Sequence, residues 1–308
     1  MFRTRLLSGI LLVIIALATI MAGDGVLAVV LCLVSLIAYR ELTKACGVHT
    51  DAAGEEKHER AGDMAEAADR RNRRFNVLEY VGMIMTILYY GFLFVTLKSG
   101  RETGEGLQGV YPVIMIAVVL TLIVFLFTYV FTFPGFRASQ IMAAMFAYLY
   151  APVMLSFIYL TREGFEQGNY LVWFIFLCSW GSDTCAYAVG VLIGRHKMTP
   201  KLSPKKSVEG AVGGVAGAAL LLVLYTHFAV NRYSGAELPL LLVAALGAVG
   251  ALVSMVGDLA ASAIKRDHGI KDYGKLIPGH GGIMDRFDSV IIAAPLIFIG
   301  LMLLTYNG

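Results

Sequence analysis

Long unbroken runs of apolar residues constrain this chain more than any other feature. Nine are evident, at 6–22, 25–39, 77–97, 110–132, 139–161, 170–194, 209–230, 239–264 and 289–306. About 20 such residues span the hydrocarbon core of a bilayer as a helix, which satisfies its own backbone polar groups where water is absent. Composition agrees: hydrophobic residues make up 58% of the 308 and charged residues 15%, whereas a soluble domain carries about a quarter charged. A soluble globular protein is excluded, and the expected fold is an all-α, polytopic transmembrane bundle of nine spans. The first two runs meet at Gly23-Asp24-Gly25, which predicts a tight hairpin. Arg3 and Arg5 give the first run the flanks of a signal peptide, but it lacks a convincing small-x-small cleavage site and eight more spans follow.

Orientation follows from the basic residues. Of the 25 Lys and Arg, 21 fall in the N-terminus and the segments 40–76, 133–138, 195–208 and 265–288, on one side of the expected membrane. The side rich in Lys and Arg faces the cytoplasm. The N-terminus is then cytoplasmic and the C-terminal Tyr306-Asn307-Gly308 lies outside, as an odd number of spans requires. Cys32, Cys46, Cys178 and Cys185 form no CxxC pair, so neither a cysteine metal site nor a disulfide framework is expected. Residues 1–138 are expected to be anchoring helices carrying a hydrophilic cytoplasmic loop at 45–76. Residues 139–308 are expected to form a catalytic membrane bundle. From about residue 170 the spans are rich in small residues, and the pairs Gly190/Gly194, Gly210/Gly214 and Gly213/Gly217 have the spacing that lets helix backbones approach closely.

Chemistry concentrates in that second region. Asp183 and Asp258 sit inside spans, about 11 and 6 residues from the cytoplasmic end, hence roughly 16 and 10 Å deep at 1.5 Å per residue. A carboxylate at such depth marks a functional site by default, with an interhelical hydrogen bond as the plainer alternative. Tyr187, one turn after Asp183, shares its face. The segment from Lys265 to Ser289 brings Lys265, Arg266, Lys271, Lys275 and Arg286 together with Gly279-His280-Gly281-Gly282 and with Asp285 and Asp288 at i, i+3. Acids at a helix start are also favoured by its dipole alone. Cations, a glycine stretch whose N–H groups can turn to an anion, and paired acids together suit a metal-bound polyphosphate. Ser203-Pro204-Lys205-Lys206-Ser207 reads as a rigid turn presenting two ammonium groups beside a helix start. Gly269 to Leu276 imitates a P-loop, but Leu276 stands where a magnesium-binding hydroxyl belongs and no strand precedes it.

These segments closely resemble the phosphatidate cytidylyltransferases, or CDP-diacylglycerol synthases. That family's signature is matched here by Ser262, Lys265, Arg266, Lys271, Asp272, Pro278, His280, Gly281, Gly282, Asp285, Arg286 and Asp288. GSDTCAYAVGVLIG and KLSPKKSVEG also look like family elements. The resemblance covers roughly residues 180–290; the N-terminal third matches only in being hydrophobic. It implies a magnesium-dependent reaction, with a two-metal site, in which CTP and phosphatidic acid give CDP-diacylglycerol and pyrophosphate. Asp258 and Asp285 would be primary metal ligands and Asp288 a further ligand or supporting acid, with Lys265 and Arg266 also catalytic. Ser203, Lys205, Lys206, Lys271, His280, Gly281, Gly282, Arg286 and Asp183 would bind substrate. A homodimer in a bacterial plasma membrane, with the site facing the cytoplasm and no nucleic-acid partner, is implied as well. The rival readings are a related CTP-dependent enzyme acting on another lipid, and an ion-coupled transporter using Asp183 and Asp258. The second is disfavoured because the strong polar clusters all lie toward one face and the chain shows no internal repeat.

Overall fold

Hydrocarbon offers the backbone no hydrogen-bond partner, so each apolar run closes its own helical ladder. A computed structural model describes residues 2–48, 76–104, 107–277 and 281–306. Most of the hydrophilic loop at 45–76, together with Pro278, Gly279 and His280 and the last two residues, lies outside the described residues. The helices are α1 (Phe2–Ala22), α2 (Asp24–Ala45), α3 (Val77–Thr103), α4 (Val110–Thr132), α5 (Ala138–Gly164), α6 (Gly168–Ile193), α7 (Val208–Tyr233), α8 (Leu240–Asp267) and α9 (Met284–Tyr306). Among the described residues, eight helices, α2 to α9, are long and apolar enough to cross a membrane. The chain is a polytopic helical bundle. Among the described residues, the departures from all-α are a two-stranded antiparallel ribbon, β1 (Lys197–Thr199) with β2 (Ser203–Ser207), and an isolated bridge between Ile277 and Gly281. The Ser203–Ser207 segment expected to be a rigid turn is thus a strand: pairing Lys197 with Ser207 and Thr199 with Ser203 satisfies backbone groups that a turn would leave open.

The chain packs as two compact units, Cys32–Val153 and Met1–Leu31 with Met154–Gly308. Within Cys32–Val153, Asn76 caps α3 by accepting from Glu79 N at 2.8 Å while Glu79 accepts from Asn76 N at 2.9 Å, a reciprocal capping box. Buried hydroxyls there find partners too: Tyr39 donates to the Leu78 carbonyl at 3.1 Å, and Ser35 and Tyr90 meet at 2.9 Å.

The other unit carries the polar site. Its α1–α2 turn uses Gly23 at φ +63°, where a Cβ would stand 2.8 Å from Glu163 Oε1. Glu163 accepts from Asp24 N at 2.6 Å and Arg162 Nε donates to the Ile20 carbonyl at 3.0 Å, which closes the expected hairpin. Among the described residues the most extensive helix pairing is α6 against α7. The small residues make it possible: a Cβ on Gly210 would lie 2.8 Å from the Ala186 carbonyl, and one on Gly217 would lie 2.5 Å from Cys185. A π turn at Leu177–Gly181 precedes Asp183 in α6. Such a turn inserts an extra residue and rotates the helix that follows, and it recurs at functional sites.

Candidate active site

Four elements of this unit deliver charge to one end of the bundle. Ser207 caps α7, its Oγ accepting from Gly210 N at 3.1 Å, and Val208 N donates to the His196 carbonyl at 2.9 Å. Glu209 completes the anchor by accepting from the backbone N–H groups of Arg195 (3.1 Å) and His196 (3.2 Å), with its carboxylate 2.6 Å from His196 Nδ1. The ribbon is thereby tied at both ends to the first turn of α7. It presents Ser203, Lys205 and Lys206 to a cavity of about 540 Å³ whose other walls include Asp183, Tyr187, Gly210 and Asp258.

Lys206 forms an ion pair with Asp258, each side chain about a quarter exposed. Asp288 feels the negative charges of Asp258 and Asp183 and the positive charge of Lys265. Asp183 in turn is held by the Ser289 side chain and by the fields of Lys206 and Arg286. The structure therefore gathers Asp183, Asp258 and Asp288 into one electrostatic cluster drawn from α6, α8 and α9.

Asp285 has different surroundings. Its carboxylate accepts from Lys265 Nζ at 2.8 Å, Tyr273 N at 2.9 Å and Gly282 N at 3.0 Å. Lys265 lies over the Tyr273 ring, 5.3 Å from its centroid, and the Tyr273 hydroxyl donates to the Ala261 carbonyl at 2.9 Å. Gly281 sits at φ +87° with space for no more than hydrogen, since a Cβ would stand 2.8 Å from Asp285 Oδ2. The Gly282 N–H expected to meet an external anion is spent on Asp285. Arg266, Lys271 and Arg286 are exposed beside this cluster; Arg266 donates to the Ile270 carbonyl at 3.4 Å. His280 lies outside the described residues.

Whether these residues suit magnesium turns on donor chemistry. Among the described residues no three His, Cys, Asp or Glu side chains converge on a common point. Magnesium asks for less, because it is commonly held by one or two carboxylates plus water and substrate phosphates. Asp258 and Asp288 supply hard oxygen donors next to cations that draw phosphates in, and their repulsion is what a divalent ion relieves. The donor set fits an ion that keeps water and phosphate oxygens among its ligands rather than a closed protein cage.

Residues that sequence reasoning passed over are Glu209 with His196, Tyr273 and Ser289. Glu209 and Ser289 look like ordinary helix-start residues, and only Tyr273, inside the signature stretch, carried a positional hint.

A family model described as the cytidylyltransferase family matches residues 63–304. The chain belongs to the cytidylyltransferase family. Among curated cytidylyltransferases, it is 42% identical over 145 residues to the phosphatidate cytidylyltransferase of Synechocystis sp., covering 46% of each chain. The phosphatidate cytidylyltransferase of Mycobacterium bovis is 37% identical over 171 residues, 56% of this chain and 54% of the relative. That of Staphylococcus saprophyticus is 38% identical over 166 residues, 53% of this chain and 60% of the relative. The chain thus spans about half the length of the first of these relatives, and the matched cytidylyltransferase region is where likeness resides.

Proposed function

We propose that the chain transfers a cytidylyl group from CTP to phosphatidic acid, forming CDP-diacylglycerol and pyrophosphate. The observation that carries this is the cavity in which Lys205 and Lys206 line the walls with Asp183 and Asp258, the two acids whose charges also act on Asp288, at the end of an apolar bundle. Such a site takes a polyphosphate from the aqueous side and an anionic lipid from the membrane side.

In the reaction a phosphate oxygen of the lipid bonds to the α-phosphorus of CTP. The bond from that phosphorus to the oxygen bridging the β-phosphate breaks, and pyrophosphate leaves with the electron pair. Both reactants are anions, so charge neutralisation and alignment dominate the barrier. Lys205 and Lys206 receive the phosphates, and Lys206 exchanges Asp258 for them, which frees that carboxylate. Asp258 and Asp288 would hold magnesium, which would supply Lewis-acid stabilisation of the phosphoryl oxygens. Asp285 organises the signature loop through Lys265, Tyr273 and Gly282, and that loop carries the exposed Lys271 and leads to Arg286, whose charge acts on Asp183. The lipid phosphate is already ionised near neutral pH, so no strong general base is needed.

The reading includes nine spans, a cytoplasmic N-terminus and site, an external C-terminus and a bacterial plasma-membrane location. The basic-residue bias and the apolar character of α1 support these. A homodimer is retained from the family resemblance. The test is purified protein in detergent given radiolabelled CTP, phosphatidic acid and magnesium. Labelled CDP-diacylglycerol is the expected product. Failure to form it by protein of native melting behaviour overturns the proposal.

A further inference from the structure

Ser289 joins two of the clustered acids without lining their cavity. Its hydroxyl donates to the Asp183 carboxylate, and its N–H donates to Asp288 Oδ1 at 2.8 Å. Only 2% of the residue is exposed. Helix packing places it there. A Cβ on Gly257 would stand 2.9 Å from the Asp288 carbonyl oxygen, so α8 and α9 cross in close contact beside Asp258. Ser289 is one residue further along α9, about 100° around the helix at 3.6 residues per turn. That rotation turns it from α8 toward α6 and Asp183.

Asp183 and Asp258 line the same cavity, and the positive charge of Lys206 acts on both. The Lys206 nitrogen is shielded from solvent although the side chain as a whole is about a quarter exposed. An ammonium so placed is costly without a carboxylate beside it. In the proposed reaction Lys206 gives up Asp258, and the incoming phosphates divide their charge between the ion and the lysines. Asp183 is then the carboxylate left to Lys206. It is not drawn into the metal's donor set as well. Among the described residues no three His, Cys, Asp or Glu side chains converge on a common point, and Asp183 already accepts from Ser289.

We infer that Ser289 and Asp183 are positioning residues that hold Lys206 in the cavity while Asp258 changes partner. The inference rests on the proposed function. The Ser289 hydroxyl fixes the Asp183 carboxylate, whose remaining lone pairs stay available to the ammonium. Lysine carries its charge on a flexible four-carbon stem, so a fixed counter-charge decides where that charge settles. Neither residue touches a reacting atom. Their loss therefore weakens nucleotide binding and spares the chemical step.

Ser289→Ala deletes the hydroxyl with almost no change in volume. Equilibrium dialysis of radiolabelled CTP with magnesium, without lipid, reads binding in the absence of turnover. Kd is expected to rise roughly tenfold, the low end of the loss when a supporting partner is removed. Ser289→Thr keeps the hydroxyl and should bind close to wild type. Asp183→Asn should show the same loss as Ser289→Ala, and combining the two should cost nothing further, because they act in series. With phosphatidic acid present, Ser289→Ala and Asp183→Asn should each raise the KM for CTP and keep kcat, with the magnesium requirement at saturating CTP unchanged. Normal CTP binding by Ser289→Ala overturns the inference, as does a full second loss in the double variant. A higher magnesium requirement for Asp183→Asn also overturns it, since Asp183 would then be a metal ligand. If Ser289→Ala melts below wild type, the isosteric Asp183→Asn carries the same test. Wild-type protein that binds CTP yet forms no CDP-diacylglycerol defeats the proposed function alone. Wild-type synthesis alongside variants that bind CTP normally defeats this inference alone.

Discussion

Asp258, Asp285 and Asp288 look alike as three acids in and around one signature, and the structure separates them by their neighbours. Asp258 and Asp288 repel each other, whereas Asp285 is saturated by a lysine and two backbone N–H groups. Asp258→Asn and Asp288→Asn keep shape and remove charge. Each is expected to lower kcat by about 10²–10³, the cost of deleting one strong electrostatic stabiliser. The double variant should lose far less than the product, because both acids serve one site; turnover assays across a magnesium titration measure this. Asp285 calls for a different measurement. Its side chain and that of Lys265 are 4% and 11% exposed, so removing one partner strands a buried charge, at about 3–5 kcal/mol. Asp285→Leu should melt well below wild type in detergent, and adding Lys265→Met should recover most of the loss. A double variant no more stable than Asp285→Leu would show that the pair is not what holds the loop.

Elements explain how short polar stretches acquire position. The ribbon carries Lys205 and Lys206 but has only a two-stranded ladder of its own, and such a hairpin is marginal in isolation. Its fixed point is Glu209 on α7. Glu209→Ala should raise the KM for CTP by roughly 10-fold, within the range for residues that orient a site from behind, while the melting temperature changes little. Glu209→Gln keeps an oxygen for the backbone N–H groups and should fall between the two. Steady-state kinetics at saturating lipid tests this, and an unchanged KM for Glu209→Ala would separate the ribbon from nucleotide binding. Helix contact makes its own prediction. Gly217→Val meets Cys185 at once, and overpacking of this kind costs about 1–3 kcal/mol. Gly91→Ala, with nothing within 4 Å of the added carbon, should be neutral or slightly stabilising, so thermal melting of the two separates packing from propensity.

At the scale of the molecule, legibility tracked physical simplicity. The spans could be read because hydrocarbon permits one solution, and the glycine pairs because close approach has a fixed spacing. The ribbon could not, since Ser203-Pro204-Lys205-Lys206-Ser207 has no alternating apolar face, and its ends are tied down by Glu209 contacts to Arg195 and His196 that no periodic pattern announces. The signature acids stand out in the sequence but their separate surroundings do not: Asp285 differs from Asp288 through Tyr273, Gly282 and Lys265, which come together in three dimensions. Orientation is the remaining whole-molecule question, and it follows from charge rather than contacts. The ribbon and the signature loop lie at one end of the bundle, and 21 of 25 basic residues fall on the side that would share it. Translocating them would oppose the bias that sets membrane topology. In a variant lacking its four native cysteines, Lys271→Cys should then resist an impermeant maleimide added to intact cells and react once the cells are opened. Glu237→Cys, in the connection between α7 and α8, should react before opening. CTP is a cytosolic metabolite, so a Lys271→Cys that labels from outside would invert the bundle and remove its nucleotide supply, and with it the proposed reaction.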